Sequence, residues 1–335
     1  MADVPVSIED VLAARKRIGS AIHMTPCYEN PLLSALVDMQ IFCKYENLQR
    51  TGSFKERGAR NALMLMDDKS RAKGVVTAST GSHALGLSYH ARELGVPVTV
   101  VMSEASPALK RNLCKYLGAK VIVSGSSYNE ALEKAILLAE RDGKTFVPAA
   151  DDPKIIAGQG TMALEILEQV DHFDVIVVAI GAGGFLAGMV TVLKSLRPQV
   201  KIIGVEPENA ASWAAAVSAG EPVTIDVQPT IADGLAVKRA GTHTFATVRD
   251  RIDGLVTVSE QELKLAMFRI AERAKCVVEG AGAAAFAACL SGKLSFLCGK
   301  RVVIPLCGGN IEPSKLAGVL EAVSQSMQQQ GKSNG

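Results

Sequence analysis

A lysine occupies an unusual position in the stretch TGSFKERGAR, residues 51–60. Ser53 and Glu56 have the spacing of a capping box, with Ser53 as the helix N-cap, so Lys55 is predicted to lie in the first turn of a helix. A cationic side chain is mildly unfavourable there, because the helix dipole is positive at that end. A partly desolvated lysine has a lowered pKa and can attack an aldehyde as a nucleophile. Considered alone, Lys55 would be interpreted as a solvated surface lysine.

A glycine-rich loop follows the predicted buried strand DVIVVAI and precedes a helix. It consists of Gly181, Ala182, Gly183 and Gly184. Glycines at a helix N-terminus expose backbone N–H groups that bind phosphate. The dinucleotide fingerprint is the competing interpretation, because Glu206 ends the next strand, where a ribose-binding acid is expected. That fingerprint needs a glycine at the position of Leu186, so a phosphate site is favoured over a nicotinamide site or an unliganded turn.

Two further loops follow predicted strands. The first carries hydroxyls and a glycine into the next helix, and it consists of Ser79, Thr80, Gly81, Ser82 and His83. Such a turn can bind a carboxylate through its N–H groups, although Ser82 alone is typical of a helix N-cap. The second loop places Cys307 at the end of a buried strand, directly before two glycines and Asn310. Paired glycines indicate that something approaches the backbone closely.

These three loops give a chemical reason for the unusual position of Lys55. Loops that follow the strands of a parallel sheet meet at its carboxyl edge, where open α/β sheets bind ligands. Lys55 is expected beside them, and an aldehyde that carries its own phosphate is pyridoxal 5'-phosphate. The combination of nucleophile, phosphate loop and carboxylate loop therefore predicts a pyridoxal-phosphate site. A protein that binds this cofactor without catalysis is the weaker alternative.

Short β-branched runs alternate with helical patterns along the chain, which predicts βαβ units with parallel pairing. Strands are predicted at 74–79, 97–102, 119–125, 144–149, 174–180, 201–207, 254–259 and 301–306. Helices are predicted between them, including a long one over 259–275 and an alanine-rich one near 281–291. The segment 149–160, rich in Asp, Pro and Gly, is interpreted as the join between two α/β units. The polar end of the chain is expected to fray.

Composition excludes several classes of protein. The 335 residues are 48% hydrophobic and 21% charged, with a formal net charge of +2 and no basic run, so nucleic acid is not an expected partner. No apolar stretch reaches the ~18 residues of a membrane span, and the first ten residues, MADVPVSIED, carry acids and no apolar core of a signal peptide, so a cytoplasmic location is expected. The seven cysteines form no C-x-x-C pair and indicate neither a zinc site nor a disulfide framework.

The motifs occur in the order found in a known family. They are KYENLQRTGSFKERGA, ASTGSHALGLSYHARELGVP, DDPKIIAGQGTMALEI, AIGAGGFLAG, PTIADGLAV, VVEGAGAAAFAA and LCGGNI. From about residue 20 to residue 320 the chain resembles the serine/threonine dehydratase and serine racemase family, pyridoxal-phosphate enzymes of the tryptophan synthase β type. The resemblance implies the fold type II architecture, an α/β fold of two open, twisted, mainly parallel sheets flanked by helices.

The resemblance also implies an organisation of the chain. Residues 1–51 with 152–322 would form a large cofactor-binding domain, 52–151 a small substrate-loop domain and 323–335 a flexible tail. A homodimer is the family expectation. The chain ends soon after LCGGNI, which leaves no room for a regulatory C-terminal domain and fits a degradative role in amino-acid catabolism.

Site roles follow from the resemblance, position by position. Lys55 is implied as the Schiff-base lysine and general base, with Phe54 beside the cofactor ring. The glycine-rich loop, 181–184, with Phe185 matches the phosphate loop, and Cys307 matches the residue that contacts the pyridine nitrogen. Glu279 corresponds to an acid near cofactor and substrate. The implied carboxylate-binding residues are Ser79, Thr80, Gly81 and His83.

Three positions depart from the family pattern. Ser82 replaces an asparagine beside the ring hydroxyl of the cofactor. Thr80 stands where the racemase has a serine that acts as acid and base, so its hydroxyl keeps racemisation open as an alternative reaction. The racemase cation site would correspond to Glu206, Ala210 and Ser212; with one carboxylate lost, no metal is predicted.

The predicted function is a lyase of the ammonia-lyase class. It would eliminate water from an L-β-hydroxy-α-amino acid and release a 2-oxo acid and ammonia. Serine, threonine and β-substituted serines such as phenylserine are the candidate substrates, and a serine racemase type of isomerase is the second hypothesis.

Overall fold

The first sheet carries the loops of interest on one edge. The computed structural model describes residues 6–79, 81–106 and 108–333. Its six-stranded sheet has the order β1, β2, β10, β7, β8, β9, and all neighbours are parallel except the pair β1 and β2. The strands are β1 (Cys27–Glu29), β2 (Gln40–Lys44), β7 (Val175–Ala179), β8 (Lys201–Pro207), β9 (Gly254–Val258) and β10 (Arg301–Pro305).

The second sheet is formed by the middle of the chain. It has four parallel strands in the order β5, β4, β3, β6. They are β3 (Val75–Ala78), β4 (Val98–Met102), β5 (Lys120–Val123) and β6 (Thr145–Phe146). Every residue of β3, β4 and β7 is buried, as expected for parallel strands covered on both faces. All eight predicted strands are confirmed, whereas β1 and β2 were not predicted from the sequence.

Helices flank both sheets. In chain order they are α1 (Ile8–Ile18), α2 (Pro31–Ser34), α3 (Lys55–Met64), α4 (Asp68–Lys73), α5 (Ser82–Glu93), α6 (Ala108–Tyr116), α7 (Tyr128–Asp142), α8 (Pro153–Gln169), α9 (Gly184–Leu196), α10 (Ser212–Ala219), α11 (Thr242–Val248), α12 (Glu260–Arg269), α13 (Gly280–Leu290) and α14 (Pro313–Ser333). The expected α/β architecture of two mainly parallel sheets with flanking helices is therefore confirmed.

Glycines bring three of these helices into close contact. A Cβ atom at Gly158 of α8 would lie 2.6 Å from the Cα of Gly58 in α3, and one at Gly188 of α9 would lie 2.5 Å from the backbone nitrogen of Gly160. Only a residue without a side chain allows such an approach of two backbones. The N-termini of α3 and α9, which carry Lys55 and the glycine-rich loop, are positioned by this packing around α8.

The predicted capping box of α3 is wrong. The helix begins at Lys55 after Phe54, and Ser53 is not its N-cap. The Glu56 carboxylate instead accepts hydrogen bonds from the backbone N–H and the hydroxyl of Thr51, at 2.7 Å and 2.6 Å. A carboxylate at this position could accept a hydrogen bond from the backbone N–H of Ser53, as in a capping box, or from Thr51. Here the preceding turn brings Thr51 within hydrogen-bond distance. The expectation that Lys55 lies in the first turn is nevertheless confirmed.

Three other boundaries differ from the sequence-based expectation. The segment 149–160 is not only a join, since α8 begins inside it with Asp152 as N-cap and Pro153 as its first residue. The helix predicted over 259–275 ends at Arg269 and continues as a π-helical turn, Ile270–Ala274. The polar end forms the last turns of α14 up to Ser333, consistent with the good helix propensity of its glutamines.

Candidate active site

The loop before α3 and the loop after β10 lie against each other. The N–H of Phe54 donates to the carbonyl oxygen of Cys307 at 3.1 Å, and the N–H of Gly309 donates to Gly52 at 2.9 Å. Ser53 and Gly308 form an antiparallel bridge between these two bonds. The structure thus brings Lys55 and Cys307 together, as the sequence predicted for loops at one sheet edge.

Lys55 is held in a defined orientation. Its Nζ donates to the carbonyl oxygen of Ala149 at 3.0 Å and lies 5.2 Å from the centroid of the Phe54 ring. Burial lowers the pKa of the Lys55 ammonium to about 8, although the negative charge of Glu279 opposes this shift. A lysine with this pKa is substantially neutral, and therefore nucleophilic, near pH 8.

The glycine-rich loop forms a cradle at the N-terminus of α9. Gly183 has φ +97°, and a Cβ there would lie 2.2 Å from the Trp213 ring, so only glycine fits. At Gly184 a Cβ would lie 2.6 Å from the carbonyl oxygen of Ala150. Among the described residues, no acceptor meets the N–H groups of Gly183, Gly184 and Phe185. Free N–H groups at the positive end of a helix fit the phosphate of pyridoxal phosphate.

The cradle and the lysine are joined through two aromatic rings. Phe54 and Phe185 stack with centroids 4.5 Å apart and an interplanar angle of 30°. Both are buried. Phe54 directly precedes Lys55 and Phe185 is the second residue of α9, so this contact sets the nucleophile and the anion cradle in one rigid arrangement. An aldehyde with its own phosphate matches that pair of groups, and the residues present fit the cofactor.

The loop at residues 79–83 lies at the start of α5, with Thr80 outside the described residues. The Ser79 hydroxyl accepts from the N–H of Gly81 at 3.3 Å. Gly81 is the residue before the helix, so Ser82 is its first residue and not the N-cap. The Ser82 hydroxyl accepts a hydrogen bond from the Asn310 side chain at 3.0 Å. This loop is thereby tied to the loop that follows β10.

His83 is the second residue of α5 and its side chain is buried. Its Nε2 lies 3.2 Å from the carbonyl oxygen of Val147, which makes Nε2 the protonated nitrogen of a neutral ring. Burial and the nearby Lys55 lower the pKa of His83 to about 3. Its Nδ1 has no hydrogen-bond partner among the described residues. A neutral His83 can contribute a lone pair or a dipole to the site, but no charge for a carboxylate.

Cys307 and Glu279 lie on either side of the start of α13. The Cys307 thiol donates to the carbonyl oxygen of Ala281 at 3.4 Å, and burial raises its pKa to about 12. Burial, followed by the charge of Asp233, raises the pKa of Glu279 to about 7. A Cβ at Gly308 would lie 2.6 Å from Glu279 Oε1, so the carboxyl group contacts the loop behind the thiol. The thiol is neutral, whereas the carboxyl titrates in the physiological range.

Glu206 does not face the cradle as a ribose ligand would. Its buried carboxylate accepts the N–H groups of Trp213 and Ala214 at 2.7 Å and 2.9 Å, so it caps α10. Because these two hydrogen bonds occupy the Glu206 carboxylate, it is not available to bind a ribose. The nicotinamide interpretation relied on that carboxylate and is therefore disfavoured. Within the described ranges, no cluster of three potential metal ligands occurs.

Sequence reasoning did not assign a role to two residues that shape the site. Asn310 is the polar residue that follows the paired glycines of the LCGGNI motif. This position was the feature of the sequence that could have indicated its role. Trp213 lies between Glu206 and the glycine-rich loop in space, and nothing in its local sequence indicates this. In the described part of the chain, no helix is long and apolar enough to cross a membrane.

The chain is similar to several characterised proteins. The family model described as pyridoxal-phosphate dependent enzyme matches residues 18–308. The catabolic L-threonine dehydratase of Escherichia coli K12 is 41% identical over 317 residues, covering 94% of this chain and 96% of that protein.

The chain is also similar to solved structures of such enzymes. The serine racemase of Dictyostelium discoideum has a TM-score of 0.86 with 36% identity, over 92% of this chain and 99% of that one. The processed form of threonine deaminase isoform 2 from Solanum lycopersicum has a TM-score of 0.88 with 33% identity, over 94% of this chain and 91% of that one. The chain therefore belongs to the family of pyridoxal-phosphate dependent enzymes of fold type II, and pyridoxal 5'-phosphate is its cofactor.

Proposed function

We propose that this enzyme eliminates water from L-threonine or L-serine and releases a 2-oxo acid and ammonia. The carrying observation is the neutral Cys307 thiol, buried at the end of β10 beside the loop of Lys55. A thiol with a raised pKa carries no negative charge, unlike a carboxylate at the same place. The similarity to threonine dehydratases and deaminases supports this reaction.

The cofactor, when bound, withdraws electrons from the α-carbon of the amino acid. The Lys55 amine, about half of it neutral near pH 8, would remove the α-proton of the bound amino acid as general base. The N–H groups of the 181–184 loop and Phe185 hold the phosphate. The loop of Ser79, Thr80 and Gly81, next to His83, binds the substrate carboxylate.

The neutral thiol decides the outcome of proton removal. A carboxylate at this position would keep a proton on the ring nitrogen and so stabilise the negative charge developed at the α-carbon. The neutral Cys307 thiol would give no such support, so loss of the β-hydroxyl group would be favoured, and Lys55 would return to it the proton taken from the α-carbon, so that it leaves as water. Overall the amino acid loses one water by elimination and takes up one water by hydrolysis, and the products are one 2-oxo acid and one ammonia. β-Substituted serines such as phenylserine would follow the same course.

The first experiment is the absorbance spectrum of the purified enzyme, followed by borohydride treatment and peptide mapping. We expect visible absorbance that borohydride abolishes, with the reduced cofactor attached to Lys55. A panel of L-β-hydroxy amino acids is then assayed for 2-oxo acid, and threonine and serine are expected to be turned over. A spectrum of this kind with no 2-oxo acid from any member of the panel would contradict the dehydratase function.

Serine racemisation is the second candidate function, supported by the similarity to the Dictyostelium racemase. It needs an acid on the face of the α-carbon opposite Lys55, and Thr80 is the candidate. Chiral chromatography of the remaining serine during turnover separates the two reactions. D-serine formed faster than pyruvate would favour the racemase, and its absence would leave the dehydratase alone.

We also propose a domain division, an oligomeric state and a cellular location for this enzyme. The division into a domain of residues 1–51 with 152–322 and a domain of residues 52–151 follows the two sheets. A homodimer and a cytoplasmic location are proposed as well, and the free thiol state of all seven cysteines fits a reducing compartment.

A further inference from the structure

Two carbonyl oxygens of the glycine-rich loop accept hydrogen bonds from other elements of the fold. The Gly181 carbonyl accepts from the indole Nε1 of Trp213 at 2.8 Å. The Ala182 carbonyl accepts from the hydroxyl of Thr244 at 2.6 Å and from the N–H of Gly241 at 3.1 Å. These donors come from α10 and from the start of α11.

The orientation of a carbonyl determines the orientation of the next N–H. A trans peptide unit is planar, and its C=O and N–H bonds point in opposite directions. Because the carbonyls of Gly181 and Ala182 are hydrogen-bonded on one side, the N–H groups of Ala182 and Gly183 must point to the other. The two side chains that bind the carbonyls therefore decide whether the cradle presents N–H groups to an anion.

Carboxylates hold the backbone of both residues at the helix ends that carry them. Trp213 is fully buried, and its backbone N–H donates to Glu206. Its ring occupies the space that a side chain at Gly183 would need, which fixes the indole against the loop. Thr244 has its backbone N–H bound to Asp151 at 3.0 Å. The Thr244 hydroxyl also donates to the carbonyl oxygen of Gly241 at 3.1 Å, so rotation of this side chain would break two hydrogen bonds.

We propose that Trp213 is a positioning residue for the phosphate of the cofactor, with Thr244 as its partner. The indole N–H holds the loop in the conformation that binds the anion, and it does not touch the anion itself. This inference rests on the cofactor site and not on the reaction that the enzyme catalyses. Glu206 acts one step further away, because it fixes the helix end that carries the indole.

The test compares two ligands that differ only in the phosphate. Equilibrium dialysis of the full-length protein gives the dissociation constants of pyridoxal phosphate and of pyridoxal, without any amino acid. Trp213→Phe keeps an aromatic ring but loses the N–H. We expect it to weaken pyridoxal phosphate binding about five- to tenfold, the effect of one hydrogen bond, and to leave pyridoxal binding unchanged.

Thr244 supplies a matched pair of variants with little change in volume. Thr244→Val loses the hydroxyl and is expected to weaken pyridoxal phosphate binding selectively, whereas Thr244→Ser keeps the hydroxyl and should retain it. This pair tests the proposal even where Trp213→Phe fails to fold. Phe245→Leu is the packing control, because Phe245 contacts the Trp213 ring at 5.7 Å between centroids without bonding the loop.

Two results would overturn the proposal. Trp213→Phe could weaken pyridoxal and pyridoxal phosphate equally, which would indicate general damage to the pocket. Thr244→Ser could bind as weakly as Thr244→Val, which would show that the hydroxyl is not what matters. Because no amino acid is present, the outcome is independent of whether the enzyme is a dehydratase or a racemase.

Discussion

At the scale of single residues, the chemistry depends on which protons are present near neutral pH. Burial lowers the pKa of Lys55 to about 8 and raises that of Glu279 to about 7, while it keeps the Cys307 thiol protonated. Between pH 7 and 8 the site therefore holds an amine of which up to half is neutral, a carboxyl that is half or more ionised, and a neutral thiol. Each of these states has a measurable consequence.

The reaction of Lys55 with the cofactor should follow its lowered pKa. Only the neutral amine attacks an aldehyde, so the rate of covalent attachment rises with pH, reaches half its maximum near pH 8 and levels off above. Stopped-flow absorbance of cofactor-free protein mixed with pyridoxal phosphate measures this rate. Lys55→Ala should show no attachment, and a midpoint near 10.5, the pKa of an ordinary lysine, would contradict the role of burial.

Glu279 should shift that midpoint through its charge. The carboxylate stabilises the Lys55 ammonium and so raises the pKa of Lys55, and at pH 8 it is mostly ionised. Glu279→Gln removes the charge, and the midpoint of attachment is therefore expected to move to lower pH. Glu208→Gln is the control, since that carboxylate pairs with Lys293 at the surface. A midpoint that is equal in both variants would mean that Glu279 does not act on Lys55.

At the scale of elements, Asn310 joins parts of the chain that are far apart in sequence. Its Nδ2 donates to the carbonyl oxygen of Thr51 at 2.8 Å and to the hydroxyl of Ser82 at 3.0 Å. A Cβ at Gly52 would lie 2.6 Å from Asn310 Oδ1, so the amide fits closely against the turn before α3. The side chain thereby sets the start of α5, on the second sheet, relative to Lys55.

Replacing Asn310 should therefore affect the amino acid more than the cofactor. Asn310→Ala loses two hydrogen bonds and releases the loop at residues 79–82, so we expect kcat/KM to fall about tenfold or more, mainly through KM. The dissociation constant of pyridoxal phosphate should change little. Steady-state kinetics and dialysis measure the two quantities.

Asn47→Ala is the matched control for this prediction. The Asn47 amide donates to the backbone of Val277 at 3.0 Å and lies beside the same glycine pair, but it does not contact Ser82. An equal loss of kcat/KM in both variants would indicate that the loop after β10 is merely loosened, and would contradict the positioning of α5 by Asn310.

At the scale of the whole molecule, a buried ionic cluster connects the helix of Lys55 to the first sheet. Arg57 in α3 pairs with Glu46 and Glu165, each at 2.7 Å, and Lys44 of β2 pairs with Glu165 at 2.7 Å. All four side chains are buried. Charges in such a place are tolerated only because they neutralise one another and share hydrogen bonds.

Arg57→Met should be strongly destabilising. It leaves two buried carboxylates without their main partner, which costs about 3–5 kcal/mol of the free energy of unfolding. Urea unfolding followed by circular dichroism measures this quantity. Arg60→Met in the same helix removes a partly exposed pair with Glu93 at 3.2 Å, and a loss of about 1 kcal/mol or less is expected. Equal losses in the two variants would contradict the importance of burial.

Much of the architecture could be predicted from the sequence. Buried parallel strands are mainly apolar runs, so β3, β4, β7, β8 and β10 were recognisable, as was the helix that begins at Lys55. The glycine-rich loop was recognisable because Gly183 has a backbone conformation that excludes other residues. These features depend on interactions between residues that are close together in the sequence, so the residue types alone indicate them.

Other features depend on contacts between distant segments. Glu56 fits a capping box by spacing, yet its carboxylate binds Thr51, because the turn before α3 is shaped by the loop after β10. Glu206 has the position of a ribose ligand in the sequence, yet it caps α10. In both cases several partners were available locally, and packing decided which of them lies within hydrogen-bond distance.

The residue types alone indicate the chemical groups of this enzyme: a lysine in the first turn of a helix, a glycine-rich loop, a loop of hydroxyls and a thiol at the end of a strand. Their protonation and orientation depend on the folded structure. A pKa depends on burial and on charges brought near by folding, as for Lys55 and Glu279. The direction of the N–H groups in the cradle depends on Trp213 and Thr244, which lie about 30 and 60 residues further along the chain. Such long-range contacts form only when the helices pack, so no local pattern records them.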